Sequence, residues 1–486
     1  MRTLTIDFLG RRSLLPPRLA FAPILLLAWC GGGAGGLAAQ PGTLDTNFAP
    51  VITGYPFVNL NTMLLQTNDR VLFGGSFTNV SGFSRNGIAR LNPDGSVDAG
   101  FDPGKGISGG FGSVNAIAVQ PADGKVLIGG SFTSVNGTNR TGVARLNADG
   151  SLDLSFNPGT GADGTVKTIV VQPDGSILLG GSFSTVHGKS RGRVARLDTS
   201  GNLDTNFVSG MGADAEVDCL ALQRDGSVII GGRFTHFNGA SQPRIARLNG
   251  TNGAVDVSYN VGVGASDVVN ALLLQPDGKV LAGGGFTNIN SANLFAIARL
   301  QTNGVVDPSF ATSVDYLAYT SVFALAQQSN GKVFIGGSFT SIGGVGQPSF
   351  ARLNADGTLD KGFVPDLPNN GVLAVGLQSS GDVILAGPFI ITDAHGNMQG
   401  YVARLHGDVA SAPPAHPLLS NLQPLPGAIR FTVNGEAGRS YIIQTTRDFA
   451  TWAPLATQMQ ATASQVFSDN SVGGVDRRFY RALVAP

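Results

Sequence analysis

A four-residue tag, Gly-Gly-x-Phe, returns at Gly74, Gly129, Gly180, Gly231, Gly283 and Gly336, with Ala386-Gly387-Pro388-Phe389 as a degenerate seventh copy. The steps between copies are 50 to 55 residues. Each copy is preceded by a glutamine (Gln66, Gln120, Gln172, Gln223, Gln275, Gln328, Gln378) and followed by the arginine of an Ala-Arg-Leu tag (Arg90, Arg145, Arg196, Arg247, Arg299, Arg352, Arg404). A period of this length holds one small supersecondary unit, which buries its apolar faces only by stacking on its neighbours. The repeat, rather than any single motif, therefore dictates the architecture.

Within one unit, residues 114–120, 125–132, 142–147 and 151–156 read as four short strands. Asp123-Gly124 and Asp149-Gly150 supply the positive φ that tight hairpin turns require. An antiparallel meander of four strands in every unit predicts an all-β, seven-bladed β-propeller with four-stranded blades. Glycine at 69 of 486 residues and 13% charged residues agree with a turn-rich β chain rather than a helical one.

The chain also opens on a fragment. Leu44-Asp45-Thr46-Asn47-Phe48 matches the closing phrase of later units (152–156, 203–207, 359–363), yet no unit precedes it, and the seventh unit stops after Arg404-Leu405 without a closing strand. Pairing the two predicts Asp45 beside Arg404, which would leave no open sheet edge. The aspartates of the closing phrase, Asp45, Asp98, Asp153, Asp204, Asp256, Asp307 and Asp360, are then expected to pair with the arginines as a repeated structural ion pair. The Gly-Gly pairs imply close approach of a neighbouring chain segment, since glycine in a strand otherwise costs about 0.5–1 kcal/mol.

At these residues the chain resembles the delta-60 repeat β-propellers of bacterial exported proteins. The units read as VQPDGKVLIGGSFTSVNG followed by ARLNADGSLDLSF, and the resemblance covers residues 44–405. It implies an exported propeller. Kelch propellers share paired glycines and a similar period, but the Tyr and Trp that follow in kelch are missing here.

Residues 1–39 carry Arg2, Arg11, Arg12 and Arg18 ahead of an apolar run and end in Leu37-Ala38-Ala39, the order of a secretory signal peptide. The run is shorter than the roughly 20 residues that cross a bilayer, so no transmembrane segment is expected. Without this leader the chain has 28 basic and 31 acidic residues, a net charge of −3, which is no nucleic-acid footprint. One cysteine, Cys219, remains, so no internal disulfide is expected. The expected organisation is signal peptide 1–39, propeller 40–408, linker 409–418 and a small β-sandwich-like module 419–486. That module is similar to C-terminal modules of other bacterial exported proteins through YIIQTTRDFATWAPLAT and RRFYRAL. Secretion or placement in the cell envelope, as a monomer, follows as the expectation.

No catalytic constellation stands out. The five histidines, at 187, 236, 395, 406 and 416, lack metal-ligand spacing, and neither a GxSxG elbow nor a phosphate-binding loop is present. The Asn147-x-Asp149-Gly150-x-x-Asp153 pattern departs from the EF-hand order, so a plain hairpin is preferred over structural calcium and no cofactor is expected. In a four-strand meander the Asp-Gly hairpins share one end, while the inter-unit crossovers and the loops between strands two and three share the other, more varied end. Ligand contacts are therefore sought among His187, His236, Phe237, Tyr316 and Tyr319 on those loops, and among Asn61, Asn115, Lys167, Asp218 and Asn270 near the mouth of the central channel. The leading expectation is a non-enzymatic binding or scaffold protein for an extracellular or periplasmic protein or glycan. The alternatives are a propeller lyase or hydrolase built on Asp218, Lys167 and a loop histidine, or a structural envelope or adhesion component.

Overall fold

In the computed structural model the chain divides into two compact units, one of residues 39–408 and one that holds the strands from Leu418 onward. The structure describes residues 39–54, 57–207, 210–312, 314–315, 317, 319–367, 371–392, 398–408, 418–425, 428–434, 440–446, 453–459, 464–470 and 479–484. The secondary structure of these residues is strand and turn throughout, without helix.

Among the described residues the larger unit holds one main three-stranded antiparallel sheet per repeat, seven in all, each with its second strand in the centre, beside smaller two- and three-stranded sheets. The second sheet is typical: Val114–Val119, Val126–Gly130 and Val143–Leu146. The seventh consists of Ala374–Leu377, Val383–Thr392 and Met398–Leu405. The central strands are buried along their length, as Val126, Leu127 and Ile128 show, because both faces are covered by neighbouring sheets. One apolar cluster joins the second and third sheets through Ala116, Leu127, Val166 and Leu179. Another joins the seventh sheet to the first through Ile384, Ala386, Leu60 and Phe73.

The expected fourth strand is reduced to one bridging residue per sheet, as in Leu146↔Leu152 and Leu353↔Leu359. The cause lies in the aspartate that follows. Asp153 Oδ1 accepts the Ser155 N–H at 2.9 Å, a local Asx turn that bends the chain out of the ladder. In the same way Asp98 accepts from the Gly100 N–H and Asp307 from the Ser309 N–H. In the seventh sheet the bridging residue comes from the start of the unit: Leu44 pairs with Leu405, and Asp45 N–H donates to the Arg404 carbonyl at 2.9 Å.

The seven arginines and aspartates are paired, from Arg90 with Asp98 at 2.7 Å to Arg404 with Asp45 at 2.8 Å. Each guanidinium also lies over the aromatic ring that ends the closing phrase, 4.8 Å away for Arg145 on Phe156 and 4.9 Å for Arg404 on Phe48. Its remaining N–H groups reach into the following sheet's turn: Arg90 donates to the Ala148 carbonyl at 2.9 Å, and Arg404 to the Pro93 carbonyl at 2.6 Å. One side chain thus fixes its own closing segment and the next sheet at once.

The glycine pairs have distinct jobs. A Cβ on Gly129 would lie 2.7 Å from Val166 Cγ1 of the next sheet, while one on Gly130 would overlap the Ser113 carbonyl of its own first strand. The second glycine lets the first strand bulge between Val114 and Ala116.

The smaller unit contains two three-stranded sheets. Ala428–Asn434 lies between Leu418–Leu425 and Ser464–Asp469, and Ser440–Thr446 lies between Ala453–Met459 and Phe479–Val484. Phe431, Val433 and Ile443 form their shared core, and Tyr480 Oη donates to Asp469 at 2.8 Å. Most of the expected linker, 409–417, lies outside the described residues.

Candidate binding face at the crossover end

Between strands two and three most units carry a small extra hairpin that the sequence reading did not anticipate, such as Ser134–Val135 with Thr138–Asn139. Its turn residues have positive φ: Asn136 at 50° with Gly137 at 77°, and His187 at 53° with Gly188 at 66°. Among the described residues crossovers are tied to the hairpin of the sheet they enter. Asp163 accepts from the Ser184 and Thr185 N–H groups at 2.7 and 2.8 Å, and Asp214 accepts from Thr235 N–H at 2.7 Å. Burial acts to raise the Asp214 pKa, but the Thr235 and His236 hydrogen bonds outweigh it and hold the carboxyl well below its usual range. The crossover end is therefore a set of braced loops on a rigid support.

In the first six sheets a bulge at the head of the first strand leaves one extra residue: Asn61, Asn115, Lys167, Asp218, Asn270 and Phe323. Bulge residues meet a bulge residue of the adjacent sheet or, for Asn270, the serine just before that sheet's first strand. Asn61 Nδ2 donates to Asn115 Oδ1 at 2.7 Å, Lys167 Nζ to Asp218 Oδ1 at 2.7 Å, and Asn270 Nδ2 to Ser321 Oγ at 2.8 Å. Lys167 also binds Glu216, and Arg233 lies 3.4 Å from Glu216 and 3.7 Å from Asp218. Burial would lower the Lys167 pKa; the hydrogen bonds to Asp218 and Glu216 overcome it, and the net shift is upward. The Lys167 hydrogen bond in turn lowers the Glu216 pKa. An ammonium so stabilised is a poor general base or nucleophile at neutral pH.

The structure thus brings Lys167 and Asp218 together, and Asn115 with Asn61, but leaves the histidines elsewhere. His236 is bound to Asp214, with Nδ1 3.2 Å from Oδ2, and His187 lies over Gly159 at a hairpin turn. Phe237 is a correction: it is fully buried with Ala213, Val217 and Phe234, so it has no surface to offer a ligand. Tyr319 is 92% exposed, whereas Tyr316 lies outside the described residues.

Two apolar positions were missed. Phe323 is the sixth bulge residue, and Leu373 follows Val372 in the seventh sheet as Phe323 follows Val322. Both line a cleft of about 450 Å³ between the sixth and seventh sheets. Further exposed apolar side chains sit on other crossovers: Phe57 at 80%, Phe111 at 92% and Met211 at 74%. Among the described residues no group of three or more His, Cys, Asp or Glu is arranged to hold a metal, and no helix is long and apolar enough to cross a membrane.

Comparisons with known proteins bear on the repeat. Catalytically inactive virginiamycin B lyase from Staphylococcus aureus aligns at 14% identity and a TM-score of 0.39, covering 66% of this chain and 91% of that one. The gluconolactonase XC5397 from Xanthomonas campestris aligns at 12% identity and 0.35, covering 76% and 96%. The periplasmic gluconolactonase PpgL of Pseudomonas aeruginosa aligns at 12% identity and 0.28, covering 85% and 98%. Likenesses this distant transfer no chemistry to the present chain. No curated protein matches it in sequence. Six segments, residues 66–101, 122–156, 172–207, 223–259, 275–310 and 328–363, match the family model described as a domain of unknown function (DUF5122) beta-propeller. These matched repeats, all between residues 66 and 363, support a β-propeller repeat family for that part of the chain.

Proposed function

We propose that the chain is an exported, non-enzymatic binding or scaffold protein that presents its contacts on the crossover end of a closed seven-bladed propeller. The observation that carries this reading is the placement of the exposed aromatic rings Phe57, Phe111 and Tyr319, all on inter-sheet crossovers braced from below. Exposed aromatics on preorganised loops are the kind of anchor that partners bury. Ring closure is supported by the Leu44↔Leu405 bridge and by the apolar cluster between the seventh and first sheets. In this reading residues 1–39 direct export, 409–418 link, and the C-terminal module attaches the protein or adds a second contact.

The lyase or hydrolase alternative needs a histidine within hydrogen-bond reach of Lys167 and Asp218. Among the described residues no histidine is a hydrogen-bond or ion-pair partner of Asp218, which pairs with Lys167 and Arg233, while His236 is engaged by Asp214. The test is a binding screen of the purified chain against envelope glycans and secreted or periplasmic proteins. Retention of at least one partner, lost on combined Phe57→Ser, Phe111→Ser and Tyr319→Ser exchange with unchanged melting, is the expected result. Turnover of a lactone, ester or glycoside that disappears in Lys167→Ala would overturn the proposal.

A further inference from the structure

The seven residues at the channel mouth are not alike. Five are polar or charged (Asn61, Asn115, Lys167, Asp218, Asn270), and the last two are Phe323 and Leu373. The residue after the glycine pair departs in the seventh sheet: it is Ser76, Ser131, Ser182, Arg233, Gly285 and Ser338 in the first six, but Pro388 in the last. Departures from the repeat converge where the cleft lies, since Phe323, Leu373 and Pro388 line it together with Pro348. Its polar lining is neutral: Ser338, Thr340 and Ser349, with no ionisable side chain among the lining residues. Ser338 Oγ donates to the Tyr319 carbonyl, which sets the exposed Tyr319 at the margin of the cleft. Ser349 Oγ accepts the Gly371 N–H at 3.0 Å, and its own proton is left to donate elsewhere.

We infer that this cleft is a carbohydrate subsite that takes the neutral, one- or two-sugar end of a glycan; the inference rests on the binding reading of the crossover end and names its ligand class. A cleft of about 450 Å³ with apolar walls and a few placed hydroxyls has the size and make-up of a small-ligand site. A charged ligand would be desolvated there without a counter-charge. A wholly apolar one would cover three hydroxyls without returning their hydrogen bonds. A pyranose meets both demands: its C–H face packs on Phe323 and the prolines while its hydroxyls exchange hydrogen bonds with Ser349 and Thr340. The polar arc from Asn61 to Asn270 then lies on the side toward which a longer glycan extends.

The test is titration of the full chain with cellobiose, maltose, lactose and chitobiose, read by calorimetry and saturation-transfer NMR, with glucuronic acid and 1-naphthol as charged and apolar probes. Phe323→Asn installs the residue found at the equivalent positions 61, 115 and 270, and Pro388→Ser the residue found at 76, 131, 182 and 338, so both variants keep side chains the repeat already accommodates. At least one neutral disaccharide is expected to bind, and each variant to weaken it by about tenfold or more. Binding of none of the four sugars, undiminished binding in both variants, or binding of only the charged or only the apolar probe would overturn the inference. A partner found in the wider screen whose binding falls with Phe57 and Phe111 but not with Phe323→Asn would sink the subsite and leave the binding role standing.

Discussion

Repeat register decides what a single residue is for. Phe237 occupies the place of Val80, Val135, Val186, Ile289 and Ile342, all buried, so its role in the core was legible once the hairpins were aligned rather than read as loop. His187 shares the positive-φ turn position of Asn136 and Asn238, which explains a histidine there without chemistry. Phe323 and Leu373 stayed hidden because a search for polar residues at the mouth passes over apolar ones in the same register. Phe237→Ala is expected to cost about 3–5 kcal/mol, the loss of a large buried ring, in a urea titration. A second position is instructive: the residue two before each Ala-Arg-Leu tag has positive φ, whether Gly142 at 72°, Arg193 at 70°, Ser349 at 63° or Tyr401 at 78°. Gly142→Ala should therefore fold and lose about 1–2 kcal/mol, the left-handed cost that five of the other six units already carry.

At the level of the sheet, the sequence specified three strands and a turn, and the fourth was misread because its apolar-Asp-x-x-aromatic spacing mimics strand alternation. What holds that segment is side-chain chemistry: an Asx turn, a buried ion pair and an arginine lying on the ring. Arg299→Met should destabilise by about 1.5–3 kcal/mol, because buried Asp307 loses a charged hydrogen bond and keeps Lys279, 2.9 Å away, as its remaining cationic partner. Arg299→Met combined with Asp307→Leu should recover much of that loss in thermal denaturation, the apolar pair needing no desolvation of charge. Acid exposes the same design. At Asp153 burial acts to raise the pKa, but the Ser155, Lys125 and Arg145 hydrogen bonds outweigh it, and all seven closing-phrase aspartates end below their usual value. A folded pKa below the unfolded one contributes stability that is complete above the unfolded value near 4 and is lost as pH falls toward the folded value. Melting temperature should thus be flat above about pH 5 and drop steeply below about pH 4, with a shallower drop in the Arg299→Met, Asp307→Leu variant.

Across the larger unit, the orphan phrase at 44–48 was the most informative stretch of sequence, since a repeat missing from one end and surplus at the other has one economical solution. The two ends meet through few groups: the Leu44↔Leu405 bridge, the Arg404–Asp45 pair, Phe48 beneath the guanidinium, and the Arg404 N–H group on the Pro93 carbonyl of the first sheet. Asp45 N–H donates to the Arg404 carbonyl and His406 N–H to the Thr43 carbonyl, which makes Leu44 and Leu405 a non-hydrogen-bonded antiparallel pair. Such pairs hold their Cα atoms about 4.5 Å apart, within the range a disulfide spans. Leu44→Cys with Leu405→Cys should consequently oxidise on its own, and Cys219 should not compete, because it is buried and burial pushes its thiol pKa up. The bond would close a loop spanning nearly the whole unit, worth on the order of 5 kcal/mol in the chain-entropy account, offset by the contacts of buried Leu405 and half-buried Leu44 given up. The oxidised variant should melt well above its own reduced form and run faster on a non-reducing denaturing gel. Free thiols after air oxidation would mean that the ends do not stay together in solution, and the proposed ring, with the binding face built on it, would fall.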